Sequence, residues 1–138
     1  NLKQYKFSPK SKKEMLDSYK FLTENNIQFI DEKSWDWLVY INKQYADIYL
    51  PEYNVVIECQ GKQHFESIEY YDKTYNLEER KMRDENKLKL CIEHGIKVYY
   101  YSNLSTKNKA YEYPYKVYED LDELLKDIKE DFNNENNK

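Results

Sequence analysis

The sequence predicts an α/β fold, a mixed central β-sheet flanked by helices. Three observations carry that expectation. Amphipathic helical stretches and short β-rich runs follow one another in the order helix, three strands, helix, strand, helix. Two neighbouring runs, 44–50 and 54–60, sort their residues onto one apolar and one polar face. A further β-rich run, "IKVYYYS" at Ile96–Ser102, follows a helix that stops at Gly95, one of only two glycines in the chain.

The elements are justified in order. Ser11-Lys12-Lys13-Glu14 has capping-box spacing, and Met15, Leu16, Tyr19 and Leu22 recur at helical intervals, so a first helix runs from about Lys12 to Asn25. Ile27 to Trp35 reads as a strand, with Ile27 and Phe29 alternating against Gln28 and Ile30. Trp37 to Ile41 reads as its extension or as a separate strand. Gln44–Leu50 and Asn54–Gln60 are two more strands. Residues 66–76 are polar and tyrosine-rich and read as a loop. Leu77 to His94 is a second helix, and Gly95 is a natural C′ residue for it. After Ile96–Ser102 and a loop containing Pro114, a last helix covers Leu121–Phe132, inside a segment of about 119–132, and the tail 133–138 is expected to fray. No internal repeat or linker is present, so residues 1–138 read as a single domain.

Composition agrees with this. A chain of 138 residues suits one core. With 40% hydrophobic and 35% charged residues it is globular rather than disordered. Sixteen tyrosines, with abundant Asn and Lys, point to an AT-rich genome, and tyrosines can also stack on bases. No apolar run approaches a membrane span and no signal peptide is visible, so a cytoplasmic, non-secreted protein with no membrane partner is expected. Cys59 and Cys91 suggest a reducing compartment, without a disulfide framework or zinc site. The chain begins at Asn1 without a methionine, as a piece of something longer would.

A net charge of −4 argues against simple electrostatic binding of nucleic acid, but the charge is uneven. Residues 1–20 carry six lysines against Glu14 and Asp17, and 73–89 carry Lys73, Arg80, Lys81, Arg83, Lys87 and Lys89 against four acids. From Glu119 onward there are eight acids and three lysines. A basic front of this kind can hold a phosphate backbone locally, although solvated helix faces produce the same pattern.

The stretch "VVIECQGKQHF", residues 55–65, poses the chemical question. With a two-residue turn at Glu52-Tyr53, Asp47 lies opposite Glu58, Ala46 pairs with Cys59, Ile48 with Ile57 and Leu50 with Val55. Those last six residues make one apolar face, and Asp47, Tyr49, Val56, Glu58 and Gln60 share the other. Opposed Cβ atoms sit roughly 5 Å apart, and like charges there destabilise a sheet. Something cationic is expected between them, and a divalent metal suits two hard carboxylates. Gly61, Gln63 and His64 stand just past the strand end, at the same edge of the sheet. The plain alternative is a solvent-facing pair on a half-exposed hairpin.

The segment "ADIYLPEYNVVIECQGKQHF" resembles the core of the PD-(D/E)XK nuclease superfamily, in the branch around very-short-patch repair endonucleases and their phage and homing-endonuclease relatives. Ser11-Lys12-Lys13-Glu14 resembles its opening helix, Arg83-Asp84 and Lys87 its next helix, and "HGIKVYYYS" the strand after it, over roughly residues 11–104. The resemblance implies an αβββαβ restriction-endonuclease-like core with an extra C-terminal helix. It implies a metal-dependent endonuclease acting on DNA in a bacterial or phage-infected cell, with target recognition in loops or in a neighbouring DNA-binding domain.

It also implies roles. Asp47 and Glu58 hold Mg²⁺, or Mn²⁺ in its place, with the backbone carbonyl of Cys59. His64 acts as general base or phosphate contact, Gln60 and Gln63 orient water or phosphate oxygens, and Glu14 binds metal through water. Lys12, Lys13, Arg80, Arg83 and Lys87 contact nucleic acid. The sequence departs from the pattern at Gln60, where the family has a lysine. On a helical wheel Leu77, Leu88, Cys91 and Ile92 cluster, and Arg80, Arg83 and Lys87 border that face, so Lys87 or Arg83 is placed to supply the missing charge. The alternatives are a catalytically silent nuclease-like domain, which Gln60 favours, and an unrelated α/β interaction module.

Overall fold

The computed structural model describes residues 13–60, 77–102 and 115–137. The elements are α1 (Lys13–Glu24), β1 (Ile30–Lys33), β2 (Ala46–Leu50), β3 (Val55–Cys59), α2 (Leu77–Glu93), β4 (Lys97–Tyr101), β5 (Val117–Tyr118) and α3 (Leu121–Asn136). The strands form one mixed sheet in spatial order β1-β2-β3-β4-β5. It is antiparallel from β1 to β3 and parallel from β3 to β5. Parallel pairing of β3 with β4 needs a long crossover, and α2 lies in it.

The helix ends follow from local chemistry. Gly95 takes φ 76°, Gly95 N donates to Ile92 O at 3.0 Å, and Ile96 N donates to Cys91 O at 2.9 Å, which is a Schellman cap. α1 ends the same way on Asn26 at φ 58°, with Ile27 N donating to Leu22 O at 2.9 Å. That cap takes Ile27 out of the expected strand, so β1 begins only at Ile30. Its first apolar pair, Ile27 and Phe29, instead packs with α1. Trp37 to Ile41 is not a strand: only an isolated bridge, Val39 to Lys43, pairs there. α3 starts on Asp120, whose carboxylate accepts from Asp122 N at 3.0 Å. It continues through Asn136 instead of fraying from 133, with Phe132 packed edge-on to Tyr53 at 5.1 Å. β5 was not legible in the sequence, because two residues carry no periodicity.

The β2–β3 register is the one the apolar sorting requires: Ile48 opposes Ile57, Tyr49 opposes Val56 and Leu50 opposes Val55. The connection is a four-residue loop, 51–54, rather than a tight two-residue turn. Tyr53 N and Asn54 N both donate to Leu50 O, and Asn54 takes the left-handed φ of 56° that asparagine tolerates.

Alternation along β3 divides the core between two faces. Val55, Ile57 and Cys59 pack with Met15, Tyr19 and Leu22 of α1 and with Leu124, Leu125 and Ile128 of α3. Val56 packs on the other face with Cys91 of α2 and with Ile96. Ala46 departs from the expected sorting and packs in this second cluster. Along α2, Cys91 is fully buried, whereas Ile92 is 62% exposed and is not part of the apolar face expected of it. Glu58, next in alternation after Val56, therefore looks toward α2.

Candidate functional site

β2 and β3 bring Asp47 and Glu58 side by side at the end of the hairpin. The carboxylates take over the ladder there. Asp47 N donates to Glu58 Oε2 at 2.8 Å, and Cys59 N donates to Asp47 Oδ2 at 2.8 Å. Each acid thus accepts from a backbone N–H of the opposite strand, which offsets part of the repulsion between them.

The cation in this cluster is Lys87. It sits one turn before the buried Cys91 on the same helical face, so anchoring Cys91 in the core aims Lys87 at the sheet. Its Nζ donates to Glu58 Oε1 at 2.8 Å and to the Tyr45 carbonyl at 2.8 Å. The side chains of Lys87 and Glu58 are only 15% and 8% exposed. Burial pushes the Glu58 carboxyl up to about 7, Asp47 adds to the rise, and Lys87 opposes it. For Lys87, burial favours the neutral amine, but the Glu58 and Asp47 carboxylates outweigh it and hold the ammonium above the ordinary lysine range. Tyr100, paired with Glu58 in the parallel register, is pushed up by burial and then by the Glu58 charge.

No protein-family model, curated protein or solved structure matches the chain.

The other expected site residues divide. Gln60 follows β3 directly, with its N–H donating to Tyr101 O at 2.7 Å, and it is 1% exposed. Of the two candidates for the missing charge, only Lys87 reaches the acids. Arg83 pairs with Glu79 one turn earlier at 2.8 Å and is half exposed. Arg80 lies on α2, partly buried. Lys12, Gln63 and His64 lie outside the described residues, as do the side chains of Lys13 and Glu14. The Tyr45 carbonyl and Tyr100 were not singled out in the sequence, because both enter through strand pairing and helix docking rather than through a motif.

Among the described residues no group of three or more His, Cys, Asp or Glu side chains is arranged to hold a metal. Mg²⁺ needs fewer, since it commonly takes one or two carboxylates, keeps several waters and completes its shell with substrate phosphate. A carboxylate offers about four lone-pair sites, and the two bonds described for Glu58 occupy two. The donor set of Asp47 and Glu58 therefore fits a hard divalent cation.

Proposed function

We propose that this chain is a metal-dependent endonuclease hydrolysing phosphodiester bonds in DNA. The observation that carries the reading is Lys87 Nζ at 2.8 Å from Glu58 Oε1, beside Asp47. It puts a fixed positive charge at the end of β3, where Gln60 supplies none. The mixed five-stranded sheet with helices and a C-terminal helix is an α/β architecture, and it supports the reading at that level alone.

Asp47, Glu58 and the Cys59 backbone carbonyl would hold Mg²⁺ or Mn²⁺. When bound, such an ion lowers the pKa of a coordinated water and offsets charge on the phosphate. The protein's own part is then specific. The Asp47 and Cys59 N–H groups fix the orientation of both carboxylates. Lys87, locked between Tyr45 O and Glu58, is a preorganised cation for negative charge that develops on the phosphate. Gln60 holds a neutral amide at the strand end and adds no charge.

One observation favours a second reading. Glu58 and Lys87 are mutually satisfied, and Gln60 is buried, so the cluster is stable as a purely structural unit of a silent, nucleic-acid- or protein-binding domain. Incubating the chain with plasmid, single-stranded DNA and RNA, in Mg²⁺, Mn²⁺ or EDTA, decides between them. Cleavage that needs a divalent ion and stops in EDTA is the expected result. No cleavage with any substrate or metal leaves the silent reading.

A further inference from the structure

A recess of about 210 Å³ opens beside the Asp47–Glu58–Lys87 cluster, between residues 40–45 and α2, and Lys87 belongs to its wall. Its lining combines Tyr40 and Tyr45 with Lys43, Arg83 and Lys87. The segment 39–45 and α2 also expose large apolar and aromatic side chains. Ile41 is 73% exposed, Tyr45 49%, Val39 43%, and Met82 of α2 51%.

This wall is rigidly docked. Asn86 Nδ2 donates to Val39 O at 3.0 Å and to Gln44 Oε1 at 2.9 Å, Gln44 Nε2 donates to Arg83 O at 3.3 Å, and Lys87 Nζ holds Tyr45 O. Leu38, fully buried, anchors the start of the segment, and its carbonyl accepts from Gln44 N at 2.9 Å. The ammonium of Lys43 lies 5.7 Å from the Tyr45 ring centroid. The aromatic and cationic groups are thus preorganised side by side, one turn of α2 from the acids.

The chemistry of that lining selects a ligand. Cations alone would suit the phosphates of any polynucleotide. The exposed Tyr45 ring, the half-buried Tyr40 ring and the exposed Ile41 suit bare base faces, and a duplex hides its base faces in the stack, whereas an unpaired strand presents them. We propose that the recess is the subsite for one unpaired nucleotide of the substrate strand, with its base on Tyr40 and Tyr45 and its phosphate on Lys43 and Arg83. In naming this as the seat of the substrate, the proposal rests on the nuclease reading above, but the binding itself does not require cleavage.

The test is fluorescence anisotropy of the full chain in EDTA with a labelled single-stranded DNA oligonucleotide, its RNA counterpart and a blunt duplex of the same length. Wild type should bind at least one single strand more tightly than the duplex. Tyr40→Ala and Tyr45→Ala should each weaken that binding about tenfold, the order expected for one lost base–aromatic stack, while Tyr45→Trp keeps it. Lys43→Ala should reduce the slope of log K against log salt by about 0.7, one phosphate contact on a single strand. Thermal melting of each variant confirms that it is folded, and the tryptophan variant controls for loss of shape.

Preference for the duplex, an equal loss on duplex and single strand, or no loss from either tyrosine would overturn the subsite. The two readings fail separately. A chain that binds single strands through these tyrosines but cleaves with no metal keeps the subsite and loses the nuclease. A chain that cleaves with Mg²⁺ while its single-strand binding ignores both tyrosines keeps the nuclease and loses the subsite.

Discussion

Lys87 Nζ and Glu58 Oε1 meet at 2.8 Å, joining α2 to β3 across 29 residues of sequence. This contact changes how the opposed acids of the hairpin are understood. Two carboxylates on neighbouring strands call for a compensating cation. In the protein that cation is an ammonium from the following helix, with backbone N–H groups helping on both strands.

The compensation is partial, and stability should show it. Glu58 has its carboxyl raised from 4.5 to about 7, with burial as the main cause. A raised pKa means the folded state prefers the protonated form. That stabilising preference is present in full below about 4.5 and is lost as pH rises through about 7. In metal-free buffer at pH 8, Glu58→Gln removes repulsion and desolvation while its amide oxygen keeps an acceptor for Lys87 Nζ, so it should melt above wild type, by about 2–4 °C for each net kcal/mol gained. At pH 5 the gain should vanish. Asp47→Asn should behave similarly, since it removes the second cause of the shift. If both variants melt well below wild type at pH 8, the acids are structural and the metal reading is wrong.

Removing the cation should do the opposite. Lys87→Met leaves Glu58 buried beside Asp47 without the ammonium it pairs with. Breaking one side of a buried pair costs about 3–5 kcal/mol, and that loss should be seen at pH 8 by urea denaturation. It should shrink toward pH 5, where Glu58 takes a proton and no longer needs a partner. A loss that is the same at both pH values would mean that Lys87 contributes packing rather than charge.

Legibility followed distance in sequence. Asp47 and Glu58 could be paired from their hairpin because period-two sorting of Ile48, Leu50, Val55 and Ile57 fixes a register over a few residues. α2 could be ended at Gly95 because a left-handed C′ residue is a local demand. Lys87 and Arg83 could not be separated, since both border the apolar stripe. Their difference comes from docking, where Cys91 rather than Ile92 enters the core and turns Lys87 inward. Ala46 was misplaced for a related reason: which cluster it fills depends on α2 and its neighbours, not on alternation alone. The recess beside the site was invisible because Trp37 to Ile41 and Gln44–Leu50 both read as strand. Asn86 and Gln44, which pin it to α2, carry no motif.

Metal binding should be linked to pH with a definite sign. A divalent ion competes with the proton on Glu58, so Mg²⁺ affinity should rise as pH rises through about 7. Binding near or below that pH should release a proton. Isothermal titration in two buffers of different ionisation enthalpy reads that release directly. Wild type should show it at pH 6.5 and lose most of it at pH 8.5, and Glu58→Gln should bind Mg²⁺ weakly at both. Affinity that is flat across this range would remove Glu58 from the metal's ligands.

If the chain cleaves DNA, the kinetics should separate the three residues that could act where the nuclease pattern has a lysine. Lys87 touches Glu58, Arg83 is held by Glu79 on the helix surface, and Gln60 is neutral and buried. Losing a preorganised charge that meets the transition state costs about 10²–10³ in kcat, so Lys87→Met should fall by that much, assayed below its melting temperature. Gln60→Ala should slow cleavage without erasing it, since one neutral hydrogen bond is worth about 1 kcal/mol. Arg83→Ala should leave kcat nearly unchanged and raise KM, because its charge lies in the recess rather than at the acids. If wild type is inactive with every metal, Gln60 marks a decayed site, and Gln60→Lys is the variant in which activity should reappear. An active enzyme whose kcat ignores both Lys87 and Gln60 would remove the charge from α2 altogether. A second metal ion or a protonated His64 would then have to supply it, and a rate that rises as pH falls through about 6.5 would single out the histidine.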